Sequence, residues 1–154
     1  MKVRSRGIEL DLPPGWEAEI DGGAGEGTGA PSSEVLTPRT HIANFPMPPV
    51  RGDFGSGAVE QMIDGDVLIC LLEEAADAVG SSLHRQTGVP RLTAGDFSPQ
   101  AMQRALKGQS GAQVFFHDQG RAFVLYVVVG SHLSRAARID AINQVLAGIT
   151  FHPD

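Results

Sequence analysis

Apolar and polar residues alternate over positions 7–12, where Ile8, Leu10 and Leu12 are separated by Glu9 and Asp11. A period of two puts the three apolar side chains on one face, which predicts a half-buried strand. Pro13-Pro14-Gly15 forces a turn, and residues 16–20 alternate again, predicting a second strand paired with the first. Residues 35–46 predict a third extended stretch, ended by the PMPP of 46–49. In the run DVLICLL (66–72), Val67, Ile69 and Leu71 face one way and Leu68, Cys70 and Leu72 the other. Both faces are apolar, so this strand is expected to be covered on both sides.

Towards the C-terminus, AQVFFH (112–117), a turn at Asp118-Gln119-Gly120 and RAFVLYVVVG (121–130) predict a β-hairpin. Its second strand is again apolar on both faces. Ser134 begins an amphipathic helix with Ile139, Ile142, Val145 and Leu146 on one side. Gly148 stops it, and residues 149–151 return as a last strand. The stretch EEAADAVGSSLH predicts a short helix ending near Gly80. Two strands with both faces apolar predict a single α+β domain over 1–154. Its central, mainly antiparallel sheet is flanked by helices, or has one face buried in a homodimer.

Residues 21–34, DGGAGEGTGAPSSE, hold five glycines and no large apolar side chain, which reads as a flexible loop. No Lys follows the glycines, so a phosphate loop is not indicated. The net charge of −6 argues against nucleic acid or an anionic membrane as partner, since both require concentrated Lys and Arg. No apolar run reaches the ~18 residues of a membrane span, and residues 1–16 carry no signal-peptide core. With one Cys and no disulfide framework, the expected location is cytoplasmic.

The densest local signal is RGDFGSGAVEQM (51–62). Gly52-Asp53-Phe54 is echoed by Gly95-Asp96-Phe97, and Ala58 and Ala101 stand at the same offset. One reading makes each GDF the start of a short helix, with Asp or Ser capping backbone N–H groups and Phe turned inward. The other makes Gly55-Ser56-Gly57 a nest of N–H groups that attracts an anion, with Arg51 beside it. On that reading Asn44, Arg51, Asp53 and Ser56 line a ligand site. A nucleophile elbow is absent, because Phe54 and Ala58 stand where its glycines belong.

The histidines (His41, His84, His117, His132, His152) have no zinc-site spacing. Cys70 lies mid-strand and reads as a small core residue. Glu73 and Glu74 are adjacent in a strand and point to opposite faces, so they make no catalytic pair. No catalytic residue, metal or cofactor is assigned.

The segments ELDLPPGWEAEI, AQVFFHDQGRAFVLYVVVGS and SRAARIDAINQVLAGITF together resemble the Mog1/PsbP-like fold, over about half of the chain. The middle, His41 to Glu60, resembles a family of small actinobacterial proteins with an H-x-ANFP…RGDFGSGAVE segment. The first resemblance implies mostly non-enzymatic binding roles and transfers no functional residue. The resulting expectation is a protein-binding or adaptor domain. The alternatives are a small-molecule or anion binder, or an enzyme, with its site at the ANFP–RGDFGSG segment, and a structural component of a larger assembly.

Overall fold

The computed structural model of the chain describes residues 1–21 and 37–153. The glycine-rich loop expected at 21–34 therefore lies, but for Asp21, outside the described residues. Two antiparallel sheets form among the described residues. The smaller has the order β1 (Lys2–Ser5), β2 (Ile8–Asp11), β8 (Ile149–Phe151). The larger has the order β3 (Glu17–Asp21), β4 (Arg39–Ala43), β5 (Val67–Glu73), β7 (Arg121–Val129), β6 (Ser110–Asp118). Among the described residues one α-helix, α1 (Ile139–Ala147), follows a single 3-10 turn at Arg135–Arg138. The α+β expectation holds at this level.

The β6–β7 hairpin turns on two residues, Gln119 and Gly120, both with positive φ (51° and 73°). Such a turn carries the right-handed twist of its strands, and glycine enters the left-handed region at little steric cost. Arg6 and Gly7 make the same kind of turn between β1 and β2 (φ 53° and 74°).

The two faces of β5 and β7 part as their alternation predicts. Val67, Ile69 and Leu71 of β5, with Phe123, Leu125, Val127 and Val129 of β7, join the main core. That core also contains Ile8 and Leu10 of β2, Phe151 of β8, and Ile142, Val145 and Leu146 of α1. The small sheet and the helix thus cover one face of the large sheet. On the other face Leu68, Cys70, Tyr126 and Val128 pack with Ala43, Ala58, Val59 and Met62, and with the half-buried Phe45, Met47, Phe54, Met102 and Leu106.

Three expectations are corrected. The strand at 16–20 does not pair with its predecessor: β3 pairs with β4, while β2 lies between β1 and β8. The Pro13-Pro14-Gly15 turn carries the chain from one sheet to the other, and the Asp11 N–H donates instead to the Gly148 carbonyl at 2.9 Å. Helices do not flank both faces among the described residues: the second face is covered by irregular chain and single 3-10 turns at Val59–Gln61 and Pro99–Ala101. Every residue of β7 is buried within one chain. The surplus apolar sheet surface that suggested a homodimer is therefore not found among the described residues. The short helix before Gly80 is present as a 3-10 turn, Ala76–Gly80. No described helix is long and apolar enough to cross a membrane.

Candidate functional site

Strand register aligns a row of functional side chains across the second face of the large sheet. Glu19 of β3 stands opposite His41 of β4, His41 opposite Cys70 of β5, Cys70 opposite Tyr126 of β7, and Tyr126 opposite Gln113 of β6. Directly opposed residues share a face of the sheet. The RGDFGSG segment and residues 102–106 lie over this row.

His41 is the most constrained member, at 5% exposure. The Arg51 Nε–H donates to its Nδ1 at 3.1 Å, and its Nε2 lies 2.9 Å from the Asp53 carbonyl oxygen. Arginine has no acceptor to offer, so Nδ1 is the acceptor and the proton sits on Nε2. The ring is therefore neutral, with both nitrogens engaged. Burial is the main force holding its pKa below the ordinary value, and the Arg51 cation acts in the same direction.

Arg51 is itself buried, with 5% of its side chain exposed. Besides His41 it reaches Glu19 at 3.3 Å and donates to the Pro48 carbonyl. Asp53 is held through its carboxylate by Arg39 at 2.6 Å. Arg51 and Asp53, both expected in a ligand site, do come together, but with His41 between them. The two GDF copies thus differ. Asp96 closes a capping box, accepting from the Thr93 N–H at 2.7 Å, whereas Asp53 fastens a loop to a strand. The first turn after it, Val59–Gln61, has no side-chain cap.

Two of the three N–H groups of the expected anion nest, those of Gly55 and Gly57, are engaged by the chain itself. The Gly55 N–H donates to the Gly52 carbonyl, the Ala58 N–H to the Gly55 carbonyl, and the Gly57 N–H to the Glu60 carboxylate at 2.7 Å. An anion would have to displace Glu60. Asn44 stands apart from the cluster. Its Nδ2 donates to the Gly65 carbonyl at 2.9 Å and its Oδ1 accepts from the Val67 N–H at 2.8 Å, which fixes the turn into β5.

Ser56 and Asp53 do border an opening, on the other side of Phe54. A cavity of about 190 Å³ lies between residues 53–59 and 102–104. Tyr126, Phe54, Val59 and Met102 form its apolar wall, and Asp53, Ser56, Gln103 and Arg104 its polar rim. Phe54 meets Tyr126 edge to face, with centroids 5.5 Å apart. The Tyr126 hydroxyl accepts from the Gln103 N–H at 2.8 Å. Burial pushes its pKa up, and that hydrogen bond partly offsets the rise.

Cys70, behind His41 and Tyr126, is fully buried, and burial drives its thiol well above the ordinary pKa. It is a core residue in this row. His41 escaped the sequence reading because its partners stand 10 and 12 residues away, at no helical or strand period. Tyr126 and Met102 escaped because each also belongs to an ordinary apolar run. Among the described residues, no group of three or more His, Cys, Asp or Glu side chains could hold a metal ion. No protein-family model, no curated protein and no solved structure matches the chain.

Proposed function

We propose that the chain is a non-enzymatic protein-binding domain that holds one apolar or aromatic side chain of a partner in the cavity over Tyr126. The observation that carries this is the cavity itself. At about 190 Å³ it is smaller than the pockets that enclose drug-sized ligands, and of a size for a single anchor side chain. Its wall combines two aromatic rings with a thioether, a lining suited to edge-on ring contacts and S–aromatic contacts. Anchors of this kind, seated in a pocket with a polar rim, dominate many interfaces. The resemblance of the chain ends to Mog1/PsbP-like proteins, with their mostly binding roles, supports the same reading. A cytoplasmic setting completes it, resting on the single cysteine.

The test compares the wild-type chain with Ser56→Trp, in which a bulky ring on an exposed rim residue fills the cavity. Both are tagged and used to capture proteins from host lysate, and both are titrated with p-cresol and toluene while the Tyr126 and Met102 resonances are followed. The expected result is a partner recovered by the wild type and lost by Ser56→Trp, with fragment shifts at Tyr126 and Met102 in the wild type alone. Equal capture by both chains, or no fragment shift at these residues, would overturn the proposal. Fragment shifts at Tyr126 and Met102 with no protein captured would favour a small-molecule site, for which the Asp53 and Arg104 charges on the rim provide the polar contacts.

A further inference from the structure

We propose that His41 is a pH-operated latch under the segment that forms one wall of this cavity: protonation of its ring drives the Arg51 guanidinium off β4 and shifts residues 51–57, which carry the Asp53, Phe54 and Ser56 side of the site. The inference rests on reading the cavity as the binding site, and adds to it a regulation by mild acid.

The geometry makes His41 a two-sided fastener. Nδ1 holds the side chain of Arg51, and Nε2 holds the backbone of Asp53. Both residues belong to the segment that closes over β4 and continues into Phe54 and Ser56 of the cavity wall. A proton on Nδ1 turns the acceptor into a donor. Two N–H groups then face each other across the present 3.1 Å contact, and an imidazolium faces a guanidinium in a buried site. Arg51 cannot yield its own proton, so relief requires separation of Arg51 from β4.

The surrounding charges determine how readily this happens. Glu19, opposite on β3, and the Asp53 carboxylate favour the protonated ring, as does the Asp53 carbonyl. Burial and the Arg51 cation oppose it, and burial is the largest influence. Cys70, opposite on β5, is neutral because its thiol pKa is raised. Arg39 is occupied by Asp53. The remaining fasteners of the segment are weaker. The Arg39–Asp53 pair is a third to a half exposed, so solvent screens it. Phe54 is only half-buried. Protonation breaks the contact with Arg51 and keeps the Nε2–H bond to the Asp53 carbonyl, so the segment shifts at its Arg51 end, against the Arg51–Glu19 pair and the Phe54–Tyr126 ring contact.

The experiment is an NMR titration of the wild-type chain and of His41→Gln from about pH 7.5 to about pH 4.5. A glutamine amide offers one acceptor and one donor without titrating. The imidazole signal of His41, the backbone amides of residues 51–57 and the affinity for p-cresol are followed together. The expected result is one shared midpoint for all three in the wild type, with p-cresol binding about tenfold weaker on the acid side. In His41→Gln the amides and the affinity stay constant. The latch is overturned if His41 does not titrate before the chain unfolds. It is also overturned if residues 51–57 do not move when His41 titrates, or if p-cresol binds equally at both ends of the range. Segment motion with no p-cresol binding at any pH sustains the latch and sinks the cavity as the binding site. If His41→Gln fails to fold, the wild-type titration decides alone.

Discussion

Arg121 grips Glu73 with two hydrogen bonds, Nη2 to Oε1 at 2.7 Å and Nε to Oε2 at 3.0 Å, in a site where neither side chain is more than 15% exposed. The same guanidinium donates to the Arg6 carbonyl at 3.0 Å and the His152 carbonyl at 3.2 Å, and lies 5.6 Å from the Phe123 ring centroid. One cation thus joins β5 and β7 of the large sheet to the β1–β2 turn and to the chain after β8. Removing one partner of a buried pair costs ~3–5 kcal/mol, because the remaining charge loses the carboxylate or guanidinium that offsets its desolvation, while replacing both by apolar groups costs far less. Glu73→Ala should therefore destabilise the chain by about that much in urea unfolding, and Arg121→Met with Glu73→Leu should recover most of the loss. A loss under ~1 kcal/mol for the single variant would show the pair to be behaving as a solvated one.

How much of this was legible depended on the range of the interaction. The faces of β5 and β7 could be read because Val67, Ile69 and Leu71, or Phe123, Leu125 and Val127, carry their own period along the chain. α1 and the β6–β7 hairpin could be read for the same reason. β1 could not, since Val3 is the one apolar residue in KVRS and its pairing depends on the Arg6-Gly7 turn. The pairing of β3 with β4 was missed because a proline-rich turn between two alternating stretches looks like a hairpin, and register is settled by the whole sheet. Arg51 and Asp53 were visible as a dense motif. Their common partner, His41, was not, because sequence spacing says nothing about which strand a loop closes over.

Asn143 plays the part of a backbone for a segment that has none beside it. Its Oδ1 accepts from the Leu92 N–H at 2.8 Å and its Nδ2 donates to the Leu92 carbonyl at 2.9 Å, both buried. Asn143→Leu keeps the volume and leaves two backbone groups unpaired. An unsatisfied buried group costs ~1–3 kcal/mol, so a loss of about 2–4 kcal/mol is expected by thermal unfolding. Amide exchange at Leu92 should accelerate more than that of β7. Unchanged protection at Leu92 would mean that other contacts hold the segment.

Gly130 ends β7 where the chain passes against the turn into β5. A Cβ there would overlap the Ile63 carbonyl oxygen and lie 2.7 Å from its carbon. Those are backbone atoms, so the turn itself must move. Gly130→Ala should cost about 2–3 kcal/mol. Gly80→Ala, with nothing within 4 Å of its Cβ, serves as the control and should be close to neutral. Equal stabilities for the two variants would refute the close approach.

The Cys70 thiol is closed off by Tyr126, Val128, Leu68 and Ala43 in the second core. Burial also keeps it protonated, and the thiolate is the reactive form. Alkylation of the native chain at neutral pH should therefore proceed only through opening of the sheet. The rate should fall in step with any stabilising substitution elsewhere. Fast labelling of native protein would mean that this face opens locally.

Stability should also respond to pH through His41, with a definite sign. Its folded pKa is lowered, chiefly by burial, from an ordinary value of 6.5. Above that value neither the folded nor the unfolded chain holds the proton, and the stability is complete. As pH falls below 6.5 the unfolded chain takes up the proton first, so stability is lost progressively until the folded ring titrates as well. Carboxylates contribute their own acid loss further down, which a comparison with His41→Gln subtracts. The difference in urea midpoint between wild type and variant should be flat above 6.5 and should move against the wild type below it. A difference that stays flat through the whole range would show that His41 has the same proton affinity folded and unfolded, and that neither burial nor Arg51 acts on it.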